Sequence, residues 1–299
     1  MELRDIEYFS VVAEHGNLGR AAEALGLSTA ALSKSLRRIE ESLQAKLVKR
    51  TPKGIELTTV GAALITHANR LRVSFEDVER EAADLREGRV GNLRVGASPG
   101  LAEYLLPAVT NELLRVAPEA EVTVTVGTGT VKLLKSGELD LVVALNLPPV
   151  EEALVQEHLY DDPVVVYAST KHRLAKRKSV TLEDIAQERW AMASPNALPL
   201  RWLCQAFDER GLPPPKVTTA TNSLWLRLMT VELTNLLGFS TRRIFRHVAT
   251  RPGLKELAVK DLTCVWRVGV VYRRDAYLSP VARRFSEILK SVAKKTGAE

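Results

Sequence analysis

Apolar residues recur at helical spacing from the start of the chain. Ile6, Phe9, Val12 and Ala13 mark one face of a helix over residues 3–14. Asn17 is placed to cap a second helix that ends near Gly26, with Ala22 a small residue where two helices cross. Ser28 reads as the N-cap of a third helix, with Leu27 and Leu32 as its hydrophobic staple. Leu32, Leu36 and Ile39 form its apolar face, and the opposite face carries Ser33, Lys34, Arg37 and Arg38. Two helices that bury one face and present a basic one form a groove-reading device. The period then changes to two. Leu47–Arg50 and Ile55–Leu57 flank Thr51-Pro52-Lys53-Gly54, the pattern of a β-hairpin around a Pro/Gly turn. With Arg50 and Lys53 near its tip, the hairpin reads as a wing beside the helix pair, rather than as a merely solvated surface hairpin.

Thr58 caps a long helical stretch reaching about Glu87. Leu64, Ala68, Leu71, Phe75, Val78, Ala82 and Leu85 alternate spacings of four and three. Charged residues lie between them, as at the a and d positions of a coiled coil. A seam that narrow predicts a partner helix from a second copy; packing on its own domain is the alternative. Gly88 and Gly91 interrupt it, and a βαβαβ texture follows. The strands are 92–97, 121–126 and 139–144, with helices through Leu113 and over 131–135 between them. The pattern restarts after Asp161-Asp162, with strands at 164–167, 190–193, 217–220, 236–240 and 266–272. Helices are expected over 200–210, 223–234 and 280–293. The reading is a mixed α/β protein. Residues 1–57 make a winged helix–turn–helix, 58–88 a linker and dimerisation helix, and 89–299 a bilobal α/β domain. One lobe is built from about 89–161 and 268–299, the other from about 162–267, with a cleft where strands end.

Composition adds a location for the charge. The 299 residues carry a net +6 and 45% hydrophobic content, an ordinary globular balance. Between Lys34 and Lys53, seven cations (Lys34, Arg37, Arg38, Lys46, Lys49, Arg50, Lys53) face only Glu40 and Glu41. Most of the excess charge thus lies on the helix and hairpin, as attraction to DNA requires. The opening MELRDIEYF is charged from its second residue, and no apolar run approaches the roughly 20 residues of a membrane span. A cytoplasmic protein without membrane contact is expected. Cys204 and Cys264 lack metal-ligand spacing and read as small hydrophobes in preference to a redox pair.

Ala21-Ala22, Leu25, Leu27-Ser28, Ala31-Leu32-Ser33, Ile39-Glu40, Leu43, Leu47, Arg50, Leu57-Thr58…Gly61 and Gly137-Glu138-Leu139-Asp140-Leu141 resemble, in order and spacing, the LysR-type transcriptional regulators. The resemblance covers essentially the whole chain. It implies a homotetramer of two dimers on an interrupted palindrome in double-stranded promoter DNA. It also implies a sensor domain of the periplasmic-binding-protein type, whose small effector alters DNA bending and contact with RNA polymerase. Ser28, Thr29, Ser33, Lys34 and Arg37 are the expected groove and phosphate contacts, with Arg50 and Lys53 on the backbone. Arg38 is either a further contact or a partner of Glu41. Where the family usually shows Gln-Pro, this chain has Thr29-Ala30. Gln pairs bidentately with adenine and Thr does not, so the half-site need not be the family's.

The resemblance places effector contacts in the loop after the first sensor strand and in the loop before the second helix, here Ser98, Pro99, Gly100 and Leu101, then Thr128 and Gly129. Hydroxyls and amides at helix starts favour an anion, and a small organic acid is the preferred class. Ser98 and Thr128 have a plainer reading as N-caps. Asn146, Asn196 and Asn222 lie at strand ends and join the candidates. Trp202 and Trp225 are expected in the core. No cofactor, metal or catalytic site is expected. There is no Gly-Xaa-Ser-Xaa-Gly elbow, no Gly-rich nucleotide loop, and His15, His67, His158, His172 and His247 are scattered. The competing readings are an enzyme or solute-binding protein, and a DNA-binding protein blind to any effector.

Overall fold

The computed structural model describes residues 2–52, 54–87, 92–145, 147, 149, 151–193, 198–248, 253–260, 262 and 264–296. The chain forms two compact units that divide between Arg86 and Glu87.

The first unit begins with α1 (Leu3–His15), α2 (Leu18–Ala24) and α3 (Thr29–Leu43). Asn17 Oδ1 accepts the Gly19 and Arg20 amides at 2.8 and 3.1 Å, which satisfies donors that the start of α2 leaves open. Ser28 Oγ does the same for the Ala31 amide at the start of α3, at 3.1 Å. Phe9, Leu36, Ile39 and Leu47 form one patch of core and Val12, Ala21, Ala22 and Leu32 another. The hairpin β1 (Val48–Thr51) and β2 (Gly54–Leu57) pairs Val48 with Leu57 and Thr51 with Gly54. Glu40 locks the hairpin to α3 by accepting the Leu47 amide at 3.0 Å and the Lys46 ammonium at 2.6 Å.

The long helix α4 (Thr59–Glu87) follows, capped by Thr58 Oγ1 on the Gly61 amide at 3.0 Å. Gly61 permits a close crossing: a Cβ there would stand 2.0 Å from the Leu47 carbonyl oxygen. The expected seam needs correction at its start. Ala68 is buried, and Leu64 is half-buried against the winged-helix core, so the open part of the stripe begins at Leu71. Leu71, Phe75 and Val78 are 47, 51 and 61% exposed, and Ala82 is exposed as well. The side chain of Leu85 lies outside the described residues, as do Gly88 and Gly91.

The second unit is built on a nine-stranded sheet. Its elements in order are β3 (Asn92–Ala97), α5 (Pro99–Tyr104), α6 (Leu106–Val116), β4 (Glu121–Val126), α7 (Thr130–Lys135), β5 (Leu141–Leu145) and β6 (Leu154–Ser169). After a 3-10 turn (Arg173–Lys176) come α8 (Leu182–Ala186), β7 (Arg189–Met192), α9 (Leu198–Asp208) and β8 (Lys216–Ala220). The last are α10 (Leu224–Leu233), β9 (Leu237–Thr241), α11 (Arg242–Val248), β10 (Leu254–Leu257), β11 (Val265–Arg273) and α12 (Pro280–Lys295). The strand order is β4-β3-β5-β11-β6-β9-β7-β8, with β10 paired to β6. The β3/β4, β3/β5, β7/β8 and β7/β9 pairs are parallel, giving two βαβ-type halves. Antiparallel β6 and β11 run between them.

Two readings of the sequence change here. The strand expected to start at 164 is part of a longer one: β6 runs through Asp161-Asp162 for 16 residues, paired with β11 up to Pro163 and with β9 from Val164. Asp162 is fully buried there and accepts the Arg243 amide at 3.1 Å. The single helix expected through Leu113 is two, α5 and α6. Pro107 has no amide to donate to the preceding turn, so the chain restarts a helix around it.

Candidate DNA-binding surface and ligand cavity

Helix α3 divides cleanly. Leu32, Ser35, Leu36, Ile39 and Glu40 are buried, Ser33 is half-buried, and Thr29, Lys34 and Arg37 are exposed. Ser28 is exposed as well, and its cap bond leaves the hydroxyl proton able to donate to a phosphate. Lys49 and Arg50 are exposed on the hairpin, while Lys46 is held by Glu40; Lys53 lies outside the described residues.

Arg38 is paired with Asp5 of α1 and not with Glu41. Its Nε donates to Asp5 Oδ2 at 2.8 Å and its Nη2 to Asp5 Oδ1, while Ser35 Oγ donates to Oδ1 at 2.6 Å. Asp5 is fully buried. The Arg38 hydrogen bond, against the opposing effect of burial, holds its carboxyl far below the usual carboxylate range, helped by Ser35 and the Glu2 amide. Arg38 therefore fastens the DNA-facing helix to α1. Asp5 and Ser35 were missed in the sequence, because spacing along one helix carries no information about a partner 33 residues away.

The second unit holds a cavity of about 470 Å³ at the C-terminal ends of β3, β4, β5, β7 and β8. Ser98, Pro99, Gly100, Thr128, Gly129 and Asn222 line it. Leu101 does not: it is fully buried in the apolar core, since the third residue of α5 turns inward. Asn146 and Asn196 lie outside the described residues. The plain capping role fits neither hydroxyl residue. Ser98 stands at the N-cap of α5 without making a cap bond, and its buried Oγ has no hydrogen-bond partner among the described residues. The N-cap of α7 is Gly129, in the left-handed region at φ 86°, and not Thr128.

Further cavity residues come from β9 (Phe239, Ser240, Thr241), from Arg201 and Arg227 on α9 and α10, and from Trp266. Periodicity hid them because each sits on an element whose other residues read as core. Trp202 stacks on Phe239 with ring centres 5.7 Å apart, and Phe239 meets Trp266 edge-on at 5.8 Å. Trp225, expected in the core, is 48% exposed. None of the described histidines lines the cavity. Among the described residues, no group of three or more His, Cys, Asp or Glu side chains could hold a metal ion, and no helix is long and apolar enough to cross a membrane. Cys264 is buried, and burial pushes its thiol up to about 11 despite a hydrogen bond with Trp266.

Comparison with known proteins gives concordant matches over both units. Residues 3–62 match the bacterial regulatory helix–turn–helix model of the lysR family, and residues 86–294 match the LysR substrate binding domain. The chain is 27% identical to the DNA-binding transcriptional dual regulator OxyR of Escherichia coli, over 98% of this chain and 95% of that one. It is 30% identical over 194 residues, 64% of each chain, to the hydrogen peroxide-inducible genes activator of Pectobacterium carotovorum. Its fold is similar to full-length CbnR crystallised with its target DNA, at a TM-score of 0.63 and 19% identity, covering 98% of this chain and 100% of that one.

Proposed function

The chain belongs to the LysR family of bacterial transcriptional regulators, and from that premise we propose how its parts divide the work. It is a DNA-binding regulator with an effector-binding domain, and we assign 1–57 to DNA, 58–88 to dimerisation and 89–299 to the effector. Ser28, Thr29, Ser33, Lys34 and Arg37 contact groove and phosphates, with Arg50 and Lys53 on the backbone. Arg38 supports that surface from behind through Asp5. A second copy pairs along Leu71, Phe75, Val78 and Ala82, and two such dimers bend promoter DNA. A small organic acid held by Ser98, Pro99, Gly100, Thr128, Gly129 and Asn222 alters that bend and the contact with RNA polymerase. On sequence grounds alone, Asn146, Asn196 and Leu85 keep their assigned roles. The protein acts in the cytoplasm by binding and performs no catalytic step.

The observation that carries this reading is the division of α3. Its apolar face is buried, while the side chains of Thr29, Lys34 and Arg37 stand exposed. Footprinting on DNA upstream of the chain's own gene, with and without a series of organic acids, is the test. A long protected region with internal hypersensitive sites, shortened or shifted by one of the acids, supports the whole reading. No protection at low salt overturns the DNA assignment, and protection that no ligand changes leaves an effector-blind binder.

A further inference from the structure

The cavity of the second unit carries a charge that its own wall does not balance. Arg201 and Arg227 line it, and among the described residues no aspartate or glutamate does. Arg227 is only 8% exposed. Its Nη1 donates to the Thr221 carbonyl at 3.2 Å and the guanidinium also faces the buried Tyr167 hydroxyl, while its Nε meets no hydrogen-bond acceptor among the described residues. Glu103 feels the charge of Arg227 but lies outside the cavity wall, and burial pushes its own carboxyl upward. A buried guanidinium with an open edge is costly unless an anion meets it. One further polar atom in the same wall, Ser98 Oγ, is buried without a hydrogen bond among the described residues. The remaining wall is mainly apolar and partly aromatic, with Phe239 and Trp266 in edge contact and Thr128, Thr130, Asn222 and Ser240 as its uncharged polar residues. Its volume of about 470 Å³ lies in the range of small-molecule sites.

We infer that Arg227 is the anion anchor of this cavity, and that the ligand is a small carboxylate on a flat apolar body. The carboxylate meets Arg227 and Ser98, and the flat body lies against Phe239 and Trp266. The inference rests on the effector reading and deepens it. An arginine suits the task because its planar fork can give a carboxylate two parallel hydrogen bonds, which a lysine cannot. The aromatic wall then selects the body, because a flat ring gains stacking area that a small hydrated acid lacks.

The test uses the full chain and three probes: benzoate, its neutral counterpart benzamide, and acetate, an anion without a ring. Binding is followed by calorimetry and by the fluorescence of Trp266, with Trp266→Phe as the control for signal origin. Benzoate is expected to bind at least about tenfold more tightly than either other probe, the scale of one charge-assisted hydrogen bond. Arg227→Gln should weaken benzoate by about ten- to a hundredfold while leaving DNA binding at low salt unchanged, and Arg227→Lys should recover part of the loss. If Arg227→Gln does not fold, the three-probe comparison on the parent chain decides alone. Benzamide binding as tightly as benzoate, benzoate binding unaffected by Arg227→Gln, or silence from all three probes each overturns the assignment. The effector reading falls separately, only if no organic acid in the footprinting series changes the protected region.

Discussion

Asp5 is an unusual place to find a charge, since it is fully buried between α1 and α3. What makes it tolerable is saturation: two bonds from Arg38, one from Ser35 and the Glu2 amide at 2.9 Å occupy its oxygens. The folded carboxyl is held far below its unfolded value of about 3.9, chiefly by Arg38. A depressed folded pKa contributes stability that is complete above about pH 4 and is lost as the pH falls below it. Acid titration of the full chain, followed by hydrogen exchange in α1 and α3, should show these helices opening as the pH drops below 4. Asp5→Asn should remove that pH dependence and open them at neutral pH. An unchanged acid profile in Asp5→Asn would count against this account. Gly61 makes a second single-residue case. Gly61→Ala puts a methyl against the Leu47 carbonyl and should cost about 1–3 kcal/mol in a denaturant melt, the usual penalty of overpacking. Sequence could name Gly61 and Arg38 as positions of interest. It could not say that one serves a backbone contact and the other a buried acid, because both facts join residues distant along the chain.

At the scale of elements, the exposed cations of α3 and of the hairpin should act as separate phosphate contacts. Lys34→Ala and Arg37→Ala should each weaken binding to all sequences alike and reduce the slope of log affinity against log salt by about 1. Gel-shift titrations across a salt series measure this, and a loss confined to one operator would instead make the residue a base reader. Thr29→Gln tests the departure from the family pattern and should add a preference for adenine at one position, worth about 1–3 kcal/mol. The second element-scale prediction concerns α4. Leu71, Phe75 and Val78 form an exposed apolar stripe on a helix held in shape by the Arg72–Glu76 and Arg80–Asp77 pairs. Phe75→Asp should weaken dimerisation by at least tenfold in sedimentation, given that burying one such side chain contributes about 1.5–3 kcal/mol. Elements whose period stayed regular, such as α3, β3 and β4, were legible from the sequence. Those that failed did so for local reasons. The restart read after Asp161-Asp162 lies inside β6, where pairing to β11 outweighs the poor strand propensity of aspartate and proline. The short helices α8 and α11 hold five and seven residues, too few for a repeating apolar face to show.

Across the whole molecule, the likeness to regulators named for hydrogen peroxide raises the question of whether peroxide chemistry comes with the fold. Sensing chemistry resides in a few side chains and not in the architecture, so it has to be judged at those side chains. A cysteine that reacts with peroxide must be accessible and substantially ionised. Cys264 is buried, with its thiol raised to about 11. On the order of one molecule in ten thousand would then carry the thiolate at pH 7. Cys204 is half-buried on α9, a turn of helix from the cavity residue Arg201. The cavity itself offers arginines and hydroxyls, which suit a stable anion, and no thiol in its wall. The effector response should therefore survive without either cysteine. The Cys204→Ser, Cys264→Ser double variant is expected to keep the parent's footprint and its response to an organic acid, and peroxide added to the reduced parent should change neither. A peroxide-dependent shift in the parent that disappears in Cys204→Ser alone would place the sensing chemistry on α9, and would make the anion cavity a structural feature of the sensor and not its switch.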